Sequence, residues 1–132
     1  VAYTDIKVTE GKSGALGLQV DVTDLAAMEA AATEIEAKLG PVYGIVANAG
    51  ITRDNFYNKL TPQDWAAVIN VNLKGVDHTI RPFINGMYER GAGAIVCISS
   101  ISGDRGNAGQ ANYAATKAAV IGLVKSLARE AA

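Results

Sequence analysis

Short apolar runs that end on a polar residue alternate along this chain with longer stretches of helical periodicity, and that alternation most restricts its fold. Residues 1–4 read as a β-branched and aromatic strand ending at Asp5, and residues 15–20 as a second strand ending at Asp21. Between 25 and 39 the apolar residues Leu25, Met28, Ala32, Ile35 and Leu39 recur at steps of three and four. Thr23 or Asp24 is placed to cap that helix and Gly40 to end it. Residues 42–47 then form a nearly continuous apolar run closed by Asn48-Ala49-Gly50, as expected of a parallel strand covered on both faces.

Thr61-Pro62-Gln63-Asp64 opens the next helix, because Thr61 can cap, Pro62 suits the first helical position and Asp64 complements the positive end of the dipole. Its apolar stripe runs through Trp65, Val68, Ile69, Leu73, Val76, Ile80 and Phe83, and Pro82 inside it is expected to kink or divide the helix. After Gly91 and Gly93, residues 94–98 give another strand, 99–110 a polar Gly-rich loop, and a last helix starts near Ala111. The order β, β, α, β, α, β, α predicts one doubly wound parallel α/β domain over 1–132, Rossmann-like. In such folds ligands sit at the carboxyl ends of the strands. Asp5, Asp21, Asn48 and Ser100 all fall there.

Composition narrows the partners. Twelve basic against 13 acidic residues leave a formal charge of −1, which gives no footprint for nucleic acid or an anionic membrane. No apolar run approaches the roughly 18 residues of a membrane span. Cys97 is the single cysteine and reads as a core residue, so a reducing cytoplasm is the expected setting. No cluster of metal ligands is expected. His78 is expected to face solvent, as are Asp104 and Arg105, while Arg53 and Arg90 are candidates for attracting an acidic acyl carrier.

Tyr113 and Lys117 are four apart on the last helix and therefore share a face. A free phenol has a pKa of about 10. A nearby ammonium favours the phenolate, which suits a tyrosine to proton transfer. An isolated Tyr-x-x-x-Lys is usually an ordinary surface pair, so its surroundings decide. These are Ile98-Ser99-Ser100-Ile101-Ser102-Gly103, Gly109-Gln110-Ala111-Asn112-Tyr113-Ala114-Ala115-Thr116-Lys117, Asn48-Ala49-Gly50 and Asn70-Val71-Asn72-Leu73. On these residues the chain resembles the short-chain dehydrogenase/reductase family, and the resemblance runs from Val1 to Ala132.

That resemblance implies a catalytic serine thirteen residues before the tyrosine, and 113 minus 13 selects Ser100 over Ser99 and Ser102. It implies Tyr113 as general acid, Ser100 as hydrogen-bond donor to the substrate carbonyl, Lys117 as partner of both Tyr113 and the nicotinamide ribose, and Asn72 as the residue that bends its helix and holds a relay water. It also implies Asp21 and Val22 at the adenine, although Asp21 serves equally as a helix cap. Asn48, Ala49 and Gly50 are small enough to let a flat cofactor approach the backbone. Asp5 would hold both ribose hydroxyls of NADH and repel the 2′-phosphate of NADPH. Lys7 softens that preference, and the resemblance admits NADPH.

Gly50-Ile51-Thr52-Arg53-Asp54 and the stretch 106–113 look like 3-oxoacyl-(acyl-carrier-protein) reductases and acetoacetyl-CoA reductases of fatty acid biosynthesis and related routes. The implied reaction reduces a 3-oxoacyl thioester, carried by acyl carrier protein or CoA, to the 3-hydroxyacyl thioester. The implied assembly is a homo-oligomer, a homotetramer, built through the two long helices. Two other readings compete: a dehydrogenase of another secondary alcohol such as a sugar or steroid, and a non-catalytic scaffold subunit.

The chain departs from the family at the Gly-rich pyrophosphate turn. Gly11, Gly14 and Gly17 do not match G-x-G-x-x-G, and Gly11-Lys12-Ser13 lacks the glycine that a phosphate loop needs at position 6. Only 16 positions separate Asp5 from Asp21, too few for a full crossover helix and a returning strand. The sequence is therefore expected to be part of a longer protein, without the first strand and its turn and without the C-terminal strands and lid.

Overall fold

A computed structural model describes residues 1–8 and 14–132. Gly11-Lys12-Ser13, which fails the phosphate-loop pattern, lies outside the described residues. Eight of the elements frame the molecule: β1 (Ala2–Asp5), β2 (Leu16–Gln19), α1 (Leu25–Leu39), β3 (Gly44–Ala47), α2 (Pro62–Ile69), α3 (Gly75–Arg90), β4 (Ala94–Cys97) and α5 (Ala111–Glu130). Between them lie a 3-10 turn at Tyr57–Lys59, a π-helical turn at Asn70–Lys74 and the short helix α4 (Ile101–Arg105).

The helix starts follow local chemistry. Asp24 caps α1 by accepting from Ala27 N at 3.0 Å, while Thr23 is engaged instead with Asp21. Thr61 caps α2 by accepting from Asp64 N at 3.0 Å, with Pro62 at the first helical position. At the end of α1, Gly40 has φ of 81°, a conformation that favours glycine.

The strands pair in parallel, β1 with β2 and β3 with β4. Asp5 stands opposite Gln19, and Ala47 opposite Cys97, so each pair ends level. That register brings residues 6, 20 and 21 out together at one pair, and residues 48–50 and 98–100 at the other. Among the described residues the two pairs are not joined into one sheet: a cleft of about 970 Å³ lies between β1 and β3, with Met28, Ala31, Ala32 and Ile35 of α1 on its wall.

Packing ties the halves together. Ala32 and Ile35 of α1, Ile45 of β3 and Phe83 and Met87 of α3 form one cluster, against which Ala2, Leu16 and Leu18 of the other strand pair also pack. A second cluster joins Val20, Val22, Met28 and Ala31, and a third joins Ala47, Val76, Ile80 and Val120. Each of these larger side chains contributes about 1.5–3 kcal/mol on burial.

Three expectations need correcting. β3 is covered on one face only among the described residues: Ile45 and Ala47 are buried, while Val46 is 63% exposed and Val96 of β4 is 51% exposed. An apolar run records what a strand is composed to be packed against, not how many partners the described residues supply. Pro82 does not divide its helix, because α3 continues through it, anchored by the buried Ile80, Phe83 and Met87. A proline removes only one amide from the ladder, and burial of one helix face outweighs that loss. The interruption instead falls at 70–74, where Gly75 N bonds back to Asn70 O, five residues away. Finally, 99–110 is not all loop, since Ser100 caps the five-residue α4. No helix among the described residues is long and apolar enough to cross a membrane.

Candidate active site

Lys117 is the organising side chain. Its position on α5 directs it inward, where it is only 4% exposed, and its Nζ donates to the carbonyl oxygen of Ile98 at 2.6 Å. The same ammonium lies 5.6 Å from the centre of the Tyr113 ring, as the four-residue spacing on a helix requires. Burial holds this ammonium below the ordinary lysine range, an effect partly opposed by neighbouring Cys97. The same burial pushes the Cys97 thiol up, against the pull of Lys117.

A base whose folded-state value is depressed binds fewer protons folded than unfolded, so stability should rise with pH between the lowered value and lysine's ordinary 10.4 or so. Lys117→Met is expected to flatten that rise. Urea midpoints of both proteins at a series of pH values from neutral to alkaline check it, with parallel curves as the contrary result.

Ser100 sits at the mouth of the loop after β4, with its Oγ accepting from Ser102 N at 3.2 Å. A hydroxyl that accepts keeps its own proton to donate. Below it, Ser99 Oγ donates to Lys117 O at 2.8 Å, and Ser102 Oγ donates to Gln110 Oε1 at 3.0 Å. Gly103 makes this packing possible: a Cβ there would lie 2.7 Å from Ala118 N and from Lys117 C. These are backbone atoms and cannot swing aside. Gly103→Ala is expected to cost about 2 kcal/mol by forcing α4 off α5, measured as a lower urea midpoint, and no change would refute the close approach.

Asn72 occupies the π-helical turn and is fully buried. Its Oδ1 accepts from Ile51 N at 2.8 Å, and its Nδ2 donates to Ile51 O at 2.9 Å and to Thr116 Oγ1 at 3.4 Å. One side chain thus pins the segment after Gly50 in both hydrogen-bonding directions. Asn112, also fully buried, adds a second pin by donating to Arg53 O at 3.1 Å. Gly50 itself runs beside the centre, because a Cβ on it would fall 3.6 Å from Asn72 Oδ1 and 3.7 Å from Lys117 Nζ.

The cofactor candidates gather separately. Asp5, Asp21, Val22, Asn48, Ala49 and Gly50 all line the cleft between β1 and β3. Ser100, Tyr113 and Lys117 are not among its lining residues, and Gly50 is the link between the two groups. Asp21 Oδ1 accepts from both the N–H and the hydroxyl of Thr23 at 2.8 Å, which lowers its carboxyl below the usual range. Asp5 accepts from the backbone N–H of Lys7 at 3.0 Å, so their contact runs through the main chain.

Several expectations shift here. His78 does not simply face solvent, because its Nδ1 meets Val22 O at 2.8 Å. Arg90 is occupied structurally: its Nη2 donates to Val42 O at 2.7 Å and its guanidinium stacks 4.8 Å above Tyr43, which is no posture for a free carrier-binding cation. Arg53 Nη1 donates to Thr52 O at 2.8 Å. Asp104 and Arg105 stay in solvent, 3.9 Å apart. The sequence reading missed Thr116, Asn112 and the Ile98 carbonyl. Only burial marks the polar side chains of Thr116 and Asn112, burial of single residues is not visible in an apolar pattern, and a backbone carbonyl such as that of Ile98 carries no sequence signal.

The sequence profile of the family described as short chain dehydrogenase matches residues 2–132. The chain belongs to that family. Among its relatives, an acetoacetyl-CoA reductase of Synechocystis sp. is 68% identical over 132 residues, covering 100% of this chain and 55% of that protein. An acetoacetyl-CoA reductase of Rhizobium meliloti is 47% identical over 126 residues, covering 96% of this chain and 52% of that protein. A 3-oxoacyl-[acyl-carrier-protein] reductase of Vibrio harveyi is 43% identical over 116 residues, with 88% and 48% coverage. The chain thus spans about half the length of these relatives. For this short-chain dehydrogenase the Rossmann-like α/β class follows from the family and agrees with the parallel pairs and with the helices α2 and α3 that lie between β3 and β4.

Proposed function

We propose that this short-chain dehydrogenase reduces 3-oxoacyl thioesters to 3-hydroxyacyl thioesters with a nicotinamide dinucleotide. The observation that carries the reading is the buried Lys117, held on the Ile98 carbonyl beside the Tyr113 ring and Gly50. A scaffold has no use for a desolvated ammonium aimed at a phenol, and burying one is costly. The likeness to acetoacetyl-CoA reductases favours the thioester over a sugar or steroid alcohol.

The dinucleotide suits the cleft. Its volume and its lining by Asp5 at the end of β1, by Asp21 just beyond β2 and by the Asn48-Ala49-Gly50 segment suit a nucleoside at one end and a flat ring at the other. Asp5 would hold the adenosine ribose, Asp21 and Val22 the adenine, and Asn48, Ala49, Gly50, Tyr113 and Lys117 the nicotinamide end. When bound, the cofactor supplies a hydride to the 3-oxo carbon. Tyr113 gives its phenolic proton to the carbonyl oxygen, which Ser100 first holds by a hydrogen bond. Lys117 keeps positive charge beside the phenol as it loses that proton. Asn72, through its grip on Ile51 and Thr116, holds the turn that resupplies the proton by way of water.

The domain reading completes the cleft. Paired strands sit about 4.8 Å apart, and β1 and β3, which flank the cleft, do not pair. A further parallel strand ending in a Gly-rich turn suits that slot, and further strands and a lid suit the open face of Val46, Val96 and Ile98. A homo-oligomer, a homotetramer, assembled through α3 and α5 belongs to the same reading, with exposed Val124 among the side chains it would cover. So does a cytoplasmic setting, supported by Cys97 having no second cysteine in the chain to join.

Incubating the full-length protein with acetoacetyl-CoA and either reduced nucleotide tests the reaction, with 3-hydroxybutyryl-CoA identified by mass as the expected product. Turnover of a sugar or steroid alcohol in place of the thioester would favour the second reading. Nucleotide choice turns on Asp5, whose charge favours NADH. KM for NADH is expected to lie about tenfold below that for NADPH, equivalent to about 1.4 kcal/mol, with Asp5→Ser closing the gap. A lower KM for NADPH in the unaltered protein would overturn the preference.

A further inference from the structure

The turn between β2 and α1 carries Asp21 and Val22, yet no strand pairing reaches it: β2 ends at Gln19 and α1 begins at Leu25. Its position is set from outside, by α3. His78 Nδ1 lies 2.8 Å from Val22 O, across 56 positions of sequence. A carbonyl only accepts, so the proton is on Nδ1 and the imidazole donates. One turn earlier on the same helix, Gly75 takes the Val22 side chain: a Cβ at 75 would stand 2.7 Å from Val22 Cγ2. Val22 is buried among Val20, Met28 and Ala31 as a result.

These two contacts act differently. The seat at Gly75 fixes where the Val22 side chain lies, but packing alone leaves the peptide plane free to tilt. The imidazole N–H fixes the direction of the Val22 carbonyl, and with it the orientation of the 22–23 peptide. Asp21 is held by Thr23 N–H and hydroxyl on the other side of that peptide, so a tilt at Val22 moves the Asp21 carboxylate as well. Both residues line the cleft assigned above to the nucleotide.

We propose that His78 is a positioning residue for the adenosine end of that cleft, acting through the Val22 carbonyl. The inference rests on the nucleotide reading of the cleft and adds a residue and a specific hydrogen bond to it. His78 touches neither Tyr113 nor Lys117, so its loss should weaken nucleotide binding without slowing the chemistry at the other end.

The test uses the full-length protein and two substitutions. His78→Leu keeps side-chain bulk and removes the donor, whereas His78→Asn keeps an N–H donor close to the place of Nδ1. Calorimetric titration with ADP-ribose, which contains the adenosine half and no nicotinamide, reads the adenosine end alone. Steady-state kinetics read the KM for nucleotide, the KM for acetoacetyl-CoA and kcat. His78→Leu is expected to weaken ADP-ribose binding and raise the nucleotide KM about tenfold, the equivalent of one hydrogen bond of about 1.4 kcal/mol. Its kcat at saturating nucleotide and its KM for the thioester should stay within about twofold, and His78→Asn should restore binding.

Nitrogen-15 spectra of the imidazole signal that disappears in His78→Asn should show a protonated Nδ1. Equal ADP-ribose affinity in the unaltered protein and His78→Leu would overturn the inference and leave the nucleotide reading intact. So would failure of His78→Asn to rescue while circular dichroism shows it folded, or a fall in kcat matching the loss of affinity. No binding of nucleotide by the unaltered protein would overturn both.

Discussion

Tyr113→Phe is expected to lower kcat for acetoacetyl-CoA reduction by about 10³-fold, within the 10²–10⁴ range that a positioned general acid contributes. The ring stays, so its contact with the Lys117 ammonium, 5.6 Å from its centre, is retained. Only the hydroxyl group is removed, and with it the transferable proton. With the proposed role in the transition state rather than in holding substrate, kcat and kcat/KM should fall together, with the nucleotide dissociation constant unchanged. Stopped-flow absorbance under single-turnover conditions measures this directly. A variant that keeps more than a tenth of the activity would take the proton-transfer role away from Tyr113.

The second large effect is structural. Asn72→Leu is expected to cost about 3 kcal/mol, because it strands the N–H and C=O of Ile51 and withdraws a donor from Thr116. Leucine is similar in size, so the loss comes from unmatched polar groups in a buried place rather than from a cavity. Asn72→Asp should fail in a specific way: the carboxylate can still accept from Ile51 N, but it faces Ile51 O with no donor. Urea unfolding measures both. A loss below about 1 kcal/mol in Asn72→Leu would show that Ile51 finds other partners.

These two residues differ in how readable they are from sequence. Tyr113 stands out through its spacing from Lys117 and Ser100, which is a local pattern. Asn72 acts through residues 21 and 44 positions away, contacts that no window of sequence contains. The same division runs through the fold. α1 is legible to the residue because Asp24, Gly40 and the apolar stripe between them are all local. The gathering of Asp5, Asp21 and Asn48 at one cleft is legible because parallel strands ending level must place their last residues together.

What resisted reading depends on tertiary packing. α4 is only five residues long, too short for a helical period to register, and it is held by Ser100 as a cap and by the close approach of Gly103 to α5. The helix interruption falls in the π-helical turn that seats Asn72 rather than at Pro82, because burial of the α3 face outweighs one missing amide. His78 reads as a surface residue in the sequence, since an imidazole on a helix carries no sign of a carbonyl 56 positions away.

On the proposed function, the cleft and the Tyr113 centre together direct a hydride to the 3-oxo carbon of an acyl thioester. The measurement that tests it most directly is isotope transfer: full-length protein, acetoacetyl-CoA, and reduced nucleotide carrying deuterium at both hydrogens of nicotinamide carbon 4. One deuterium is expected on carbon 3 of the 3-hydroxybutyryl-CoA, located by fragment-ion mass spectrometry, and none on carbon 3 when solvent is the only deuterium source, whatever label carbon 2 takes up by enolisation of the substrate. Nucleotide left unoxidised by a folded, nucleotide-binding protein, or a product without deuterium at carbon 3, would contradict the proposed function.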